Sequence, residues 1–413
     1  MNRKRRQDAD GFDRREFLRA SAGLGAVAFC SGYPAAAFGQ DKKPVKVGYS
    51  ISLTGEYAET GKYQQEGYEL WKKRVNAKGG LLGRPLELVF YDDQSEPATG
   101  ARLFEKLITD DKVDLIIGPY SSAITATAAQ AARKYEMPML TNGSSEKIHQ
   151  QGNRYVFMVF TPAGHYLEGA FAVAAKQGLK TVAMINENTL FPKSTADGGI
   201  EVASKTYNLQ VVFREEYPKG ATDVSGILTK IKAVNPDLLC SGSYFPDAVL
   251  IVRQMKELDV NPKMYAATVG VALDEFGGSK GVGKDAEYVY GSSQWEPDPK
   301  LGYPGIENFI ADYRKEFGRD PDYHSSAGYA AGEVLEAAVT KVGSLDNQKI
   351  RDAIAAMDMM TIQGRFKVDG AGLQVGHRIL LVQWQDGKKR VVWPEEFATA
   401  KARFPTPPWS QRR

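Results

Sequence analysis

The chain has 413 residues, of which 43% are hydrophobic and 25% charged, with 53 Lys/Arg against 50 Asp/Glu. These proportions are typical of a globular protein with two or three domains and exclude a collagen-like, coiled-coil or disordered chain. A chain of this length buries large cores without needing disulfides, and it has two cysteines.

Residues 1–39 have the layout of an export signal. The adjacent Arg14 and Arg15 precede a mildly apolar run over residues 20–29, and small residues cluster at 35–37. The order basic, apolar, small predicts a cleaved twin-arginine signal, of the kind that exports folded chains. The apolar run is shorter than the ~20 residues that span a bilayer. We therefore expect a soluble mature protein in the periplasm.

The net positive charge belongs to this signal, which holds seven Lys/Arg and four Asp/Glu and leaves 46 of each in the remainder. A neutral mature chain gives no reason to expect a nucleic acid or an anionic membrane as partner. Cys30 follows Phe29, a poor match to the small residue before the cysteine of a lipoprotein signal, so we expect no lipid anchor. Cys240 is then the single thiol, and no intramolecular disulfide is possible.

Strands and helices alternate along the rest of the chain, which is typical of parallel sheets. Strands are predicted over residues 45–51, 86–91, 113–117, 137–140, 181–185, 209–213, 238–242 and 262–266. Helices are predicted over residues 61–76, 98–109, 125–136 and 165–177, and between the later strands. This number of strands fits two sheets, hence two lobes, better than one. The C-terminal part reads as helices over 303–317 and 324–342, short strands over 361–368, 378–384 and 389–393, and an irregular tail.

No catalytic or metal-binding constellation stands out. The four histidines lie far apart without H-E-x-x-H spacing, and a single remaining thiol excludes a cysteine-based zinc site. A Walker A loop and a G-x-G-x-x-G after a strand are also missing. We expect a protein that is not an enzyme and that has no metal and no cofactor.

The loops after three predicted strands are rich in Ser, Thr and Gly, at residues 52–61, 118–123 and 141–145. Ligands of open α/β sheets bind beyond the carboxyl ends of strands, and helix N-termini there bind carboxylates. The alternative is that these hydroxyls are only helix caps, which explains one such loop more easily than three. In the second half, aromatic residues follow strands instead and could clamp a ligand or pack in the core; they are Phe191, Tyr244 and Trp295.

Several segments match one known family in order and spacing. They read SLTGEYAETG, NAKGGLLGRPLELVFYDD, DLIIGPYSS, TNGSSEKIHQQG and NPDLLCSGSYFPD. Over nearly all of residues 44–395 the chain resembles the periplasmic solute-binding proteins of branched-chain amino acid (Leu/Ile/Val-binding) ABC importers. The resemblance implies an α/β fold of type I, in which two Rossmann-like lobes with parallel sheets are joined by three hinge crossings and close on a ligand.

The resemblance also implies boundaries and partners. Lobe 1 would comprise residues 40–161 plus 294–362, lobe 2 residues 162–293 plus 363–400, and the tail residues 401–413. The protein would be a monomer that binds a small molecule and delivers it to a membrane permease and its ATPase. By motif, the ligand-binding positions are Thr60, Ser122, Ser144, Ser145, Phe191 and Tyr244, and Trp295 adds an aromatic ring beyond a strand.

One position departs from the amino-acid binders of that family. Thr268 stands where they commonly place an acid that holds the ligand's ammonium. A buried ammonium without an anion is costly, although Asp247 or Glu187 could replace that acid. The ligand is therefore either an amino acid or an aromatic or apolar acid without an α-ammonium. The competing functions are a ligand-sensing receptor domain of the same fold and a periplasmic enzyme exported by the twin-arginine route.

Overall fold

The computed structural model describes residues 43–150 and 152–412. The predicted signal and Cys30 lie outside the described residues. In the described ranges, no helix combines the length and the hydropathy that a membrane crossing needs.

The structure is built from alternating strands and helices. The strands are β1 (Val45–Ile51), β2 (Leu86–Asp92), β3 (Leu115–Ile117), β4 (Met139–Thr141), β5 (Val156–Met158), β6 (Thr181–Glu187), β7 (Gln210–Tyr217), β8 (Leu238–Gly242), β9 (Met264–Ala267), β10 (Tyr290–Ser293), β11 (Asp358–Thr361), β12 (Gly364–Lys367), β13 (Leu380–Gln385) and β14 (Lys388–Trp393). The helices are α1 (Ala58–Ala77), α2 (Pro97–Thr109), α3 (Ser122–Lys134), α4 (Glu168–Lys176), α5 (Leu190–Lys205), α6 (Ser225–Val234), α7 (Phe245–Glu257), α8 (Ile306–Phe317), α9 (Tyr323–Val342) and α10 (Asn347–Ala355).

Two separate sheets carry the fold. The first sheet is parallel, in the order β2-β1-β3-β4-β5, and its interior strand β1 is buried almost throughout. The second sheet has the order β14-β13-β10-β9-β8-β6-β7, parallel from β7 to β10 and antiparallel at β13 and β14. Buried parallel strands read as apolar runs because both faces of the sheet are covered.

The chain crosses between the two sheets three times, after β5, after β10 and after β12. Two sheets with parallel cores, joined by three crossings, confirm the predicted fold class. The residue boundaries of the two lobes stay a prediction.

Helix α9 lies against α1, beside the first sheet, through very close backbone contacts. A Cβ atom on Gly67 of α1 would lie 2.1 Å from the carbonyl oxygen of Ser325, and one on Gly332 would lie 2.2 Å from the Trp71 ring. Side chains at these positions would clash, so glycine permits the close approach. The N-terminus of α9 is thereby fixed beside the first sheet.

Some boundaries differ from the sequence prediction. Helix α1 begins at Ala58 and α3 at Ser122, each three residues before its predicted start. The first turns of both helices are rich in small and polar residues, so apolar periodicity does not reveal them. The predicted strand over 361–368 is instead an antiparallel pair, β11 and β12.

The C-terminal segment, predicted to be irregular, is anchored to the second sheet. The indole Nε1 of Trp409 donates to the carbonyl oxygen of Val260 at 2.9 Å, and its backbone N–H donates to Oδ1 of Asn261 at 3.0 Å. The Gln383 side chain of β13 donates to the carbonyl oxygen of Arg403 at 2.9 Å. These bonds hold the segment against the second sheet as far as residue 409.

Candidate ligand-binding site

A small cavity of about 20 Å³ lies between the two sheets, where loops that follow their strands meet. Two groups of side chains enclose it. The first wall, on the side of the first sheet, comprises Tyr120, Ser121, Ser122, Asn142, Ser144, Phe160 and His324. The second wall, on the side of the second sheet, comprises Tyr166, Phe191, Tyr244 and Val269.

The N-terminus of α3 forms one part of the first wall. Ser121 adopts a left-handed backbone conformation with φ of 67°, and its Oγ accepts from the N–H of Ile124 at 3.3 Å. The Oγ of Ser122 accepts from the N–H of Ser145 at 3.1 Å. The first-turn N–H groups of Ser122 and Ala123 have no carbonyl partner within the helix. Such a helix end favours a carboxylate.

The loop after β4 supplies the next part. The hydroxyl of Ser144 lies 2.9 Å from that of Tyr166 and also donates to the carbonyl oxygen of Asn142 at 3.2 Å. Within the described ranges, neither Oδ1 nor Nδ2 of the buried Asn142 side chain has a hydrogen-bond partner. An unpaired buried amide is costly, and a ligand in the cavity would satisfy it.

His324 completes the polar part of the first wall. It lies in the first turn of α9 and is 1% exposed. Its Nδ1 is 2.7 Å from Oδ2 of Asp322, whose Oδ1 accepts from the backbone N–H groups of His324 and Ser325. Asp322 therefore caps the helix and orients the imidazole at the same time.

The second wall is aromatic. The Phe191 ring lies 4.9 Å from the Tyr166 ring and 5.6 Å from the Tyr244 ring, measured between centroids. Tyr244 also packs on Tyr57 at 4.6 Å. The Tyr244 hydroxyl has no hydrogen-bond partner in the part of the chain that the structure describes. This surface suits the flat or apolar body of a ligand.

Of the eight predicted ligand-binding residues, Ser122, Ser144, Phe191 and Tyr244 line the cavity. The other four are engaged elsewhere, so direct ligand contact stays a prediction for them. The hydroxyl of Thr60 donates to the carbonyl oxygen of Tyr57, and the hydroxyl of Ser145 lies 2.6 Å from the hydroxyl of Ser194. The hydroxyl of Thr268 bonds both the N–H and the carbonyl oxygen of Ser243. Trp295 packs on Phe309.

The sequence prediction did not select several of the lining residues. Phe160 and Tyr166 lie in the first crossing between the sheets, and His324 lies in a helix far along the chain. The aspartate two residues before His324 is a readable helix-cap signal. It locates the start of α9 but does not show that this start faces the cavity.

Three carboxylates meet beside the cavity. Oxygen atoms of Glu56, Glu187 and Asp247 all lie within 4.8 Å of one another, close enough to hold a cation. Burial, reinforced by the Glu187 carboxylate, raises the pKa of Glu56 to about 8, and burial raises the pKa of Asp247 to about 7. Lys219 approaches Glu56 to 3.9 Å. This acidic cluster retains protons in the neutral pH range.

Comparison with known proteins supports the same fold. A Leu/Ile/Val-binding protein homolog 7 from Brucella suis is 27% identical over 382 residues, covering 87% of this chain and 94% of the relative. LivJ from Streptococcus pneumoniae, solved with isoleucine, aligns with a TM-score of 0.76 and 24% identity over 85% of this chain and all of that one. An ABC transporter solute-binding protein from R. palustris, solved with benzoate, aligns with a TM-score of 0.76 and 20% identity over 87% of this chain and 98% of that one. Residues 44–389 match the family described as periplasmic binding protein, and the chain belongs to that family.

Proposed function

We propose that this protein is the extracytoplasmic solute-binding component of an ABC importer. It captures a small carboxylate-bearing solute when the lobes close and delivers it to a membrane permease driven by an ATPase. Family membership and the relatives named for solute binding support this role. A cavity lined by residues from the sides of both sheets supports capture between two lobes.

The ligand that we propose is an aromatic or apolar acid without an α-ammonium. The cavity itself carries this proposal: it joins a helix N-terminus to a wall of aromatic rings, and none of the described side chains that line it is a carboxylate. A carboxylate ligand would find N–H donors at α3, and its body would lie on Phe191 and Tyr244. An amino acid would also bury an ammonium, which needs an anion partner.

A branched-chain or aromatic amino acid is the second candidate. Glu187 and Asp247 lie close to one another, and Asp247 accepts from the backbone N–H of Tyr244 at 2.9 Å, directly beside the cavity. Either carboxylate is a candidate partner for a bound ammonium. The structure of LivJ with isoleucine shows that the fold accepts such ligands.

A titration of the purified mature protein separates the two candidates. The panel is benzoate, 3,4-dihydroxybenzoate, leucine, phenylalanine and the deaminated counterparts of the two amino acids. A true ligand at a hundredfold excess over Kd should stabilise the protein by about 2.7 kcal/mol. We expect the acids to bind. If only the amino acids bind, and Glu187→Gln or Asp247→Asn abolishes that binding, the second candidate is correct.

A further inference from the structure

The first wall contains one side chain whose role is not explained by packing. The side chain of His324 makes its hydrogen bond through Nδ1, to Asp322, so Nε2 is the nitrogen left for the cavity. The imidazole is enclosed by rings, with centroids 5.3 Å away at Tyr120, 6.2 Å at Phe160 and 4.0 Å at Tyr323. A polar ring in such surroundings implies a polar partner in the cavity.

Charge identifies that partner. Among the described side chains that line the cavity, His324 alone can carry a positive charge. A carboxylate in a closed, largely apolar cavity is costly unless a cation accompanies it. Asp322 already places one negative charge 2.7 Å from the imidazole, and an added anion would be repelled unless the ring were protonated.

We propose that His324 recognises the carboxylate of the ligand as an imidazolium, and that binding draws one proton from solution onto the imidazole. This inference rests on the proposed function, because it requires an acidic ligand. Asp322 acts as a positioning residue, since it holds Nδ1–H and stabilises the imidazolium. The N–H on Nε2 then donates a charge-assisted hydrogen bond, stronger than a neutral one.

Tyrosines and basic side chains near His324 and Asp322 do not account for the uptake of this proton. Burial raises the pKa of every tyrosine near the pair, so these phenols are neutral at physiological pH and gain no proton there. The nearby cations are already paired: Arg319 lies 2.6 Å from Glu66, and Lys389 lies 3.4 Å from Glu296. The tyrosines concerned are Tyr63, Tyr120, Tyr313 and Tyr323.

Calorimetry in buffers of different ionisation enthalpy tests the proposal. Benzoate, or the acid of the panel with the highest affinity, is titrated into the protein at pH 7.5 in phosphate and in Tris. We expect the wild-type protein to take up protons as it binds. His324→Gln keeps a neutral donor near the position of Nε2, so it should bind about tenfold more weakly or worse and take up no protons at this site.

Further variants separate recognition from a structural role. Tyr323→Phe keeps the ring that packs on His324 and should leave both affinity and proton uptake unchanged. Asp322→Asn should reduce proton uptake, while its Oδ1 still caps α9. Glu56→Gln removes a member of the acidic cluster. It should retain the proton uptake that His324→Gln loses.

Each outcome decides a separate question. If the wild-type protein binds the acid without proton uptake, or if His324→Gln retains wild-type affinity, the proposal is wrong although the proposed function stands. The wild-type measurement decides this even if a variant does not fold. If no acid of the panel binds the wild-type protein, the proposed function fails, and the role of His324 fails with it.

Discussion

The two walls of the cavity differ in chemistry and in construction. The first wall offers backbone N–H groups, an amide and an imidazole, held at the N-termini of α3 and α9 and in the loop after β4. The second wall offers mainly rings; Phe191 and Tyr244 are carried on segments that follow strands of the second sheet, and Tyr166 lies in the first crossing. Hydrogen bonds weaken steeply as their angle departs from the preferred one, whereas apolar burial is non-directional. The contrast indicates that the first wall selects the acidic group and the second wall selects the body.

A negative charge placed in the first wall should lower the affinity for an acidic ligand more than any other change. Asn142→Asp would set a buried carboxylate beside the acidic group of the ligand. An uncompensated buried charge costs about 3–5 kcal/mol, so we expect the affinity for benzoate to fall by roughly a hundredfold or more. Isothermal titration calorimetry measures this loss. Asn142→Ala, which removes the amide without adding charge, is the matched control and should lose much less.

Removing a ring from the second wall should have the next largest effect. Tyr244→Ala deletes a side chain that contacts Phe191 and Tyr57, and burial of such a side chain is worth about 1.5–3 kcal/mol. We expect affinity to fall roughly tenfold to a hundredfold for aromatic acids and less for short aliphatic ones. Tyr244→Phe keeps the ring and should retain most of the affinity. Equal losses in the two variants would show that the hydroxyl, and not the ring, binds the ligand.

Ser122→Ala tests the hydroxyls of the first wall. Its Oγ holds the N–H of Ser145 and so supports the loop after β4. Loss of a hydrogen bond near a charged ligand costs about 1.5–3 kcal/mol, which predicts affinity reduced roughly tenfold or more. Unchanged calorimetric affinity in the double variant Ser122→Ala/Ser145→Ala would contradict a role for these hydroxyls.

The acidic cluster predicts a smaller, ligand-independent effect of pH. The pKa values of Glu56, about 8, and Asp247, about 7, lie above the ordinary value of about 4. The folded chain therefore keeps protons that the unfolded chain releases. The resulting stability is fully present below about pH 4 and is lost as the pH rises to about 8.

Thermal unfolding of the ligand-free protein between pH 5 and pH 9 measures this effect. We expect the midpoint to fall by a few degrees as the pH rises, and Glu56→Gln to reduce the fall. Glu201→Gln is the control, because Glu201 is exposed and pairs with Lys205 on α5 and not with a member of the cluster. The same pH dependence in wild type and Glu56→Gln would contradict the role assigned to the cluster.

The sequence predicted one part of the site better than another, for a physical reason. Ser122, Ser144, Phe191 and Tyr244 follow strands, and parallel strands bring such loops together at one edge of each sheet. His324 enters the cavity because α9 packs against α1 through glycines, a contact between distant segments that local patterns do not encode. Thr268 was predicted as a ligand contact but does not line the cavity, and both hydrogen bonds of its hydroxyl go to the backbone of Ser243.

Because the C-terminal segment is anchored to the second sheet, dyes near the two ends of the described chain would report a displacement of one sheet relative to the other. Strand β1 of the first sheet begins at Val45, while Trp409 is hydrogen-bonded to Val260 and Asn261 beside the second sheet. Fluorophores attached at Lys43 and Gln411 would therefore lie beside different sheets. Cys240 is buried and would compete little for thiol-reactive dyes. Energy transfer between the two dyes would report any change in the separation of the two sheets, without a label near the cavity.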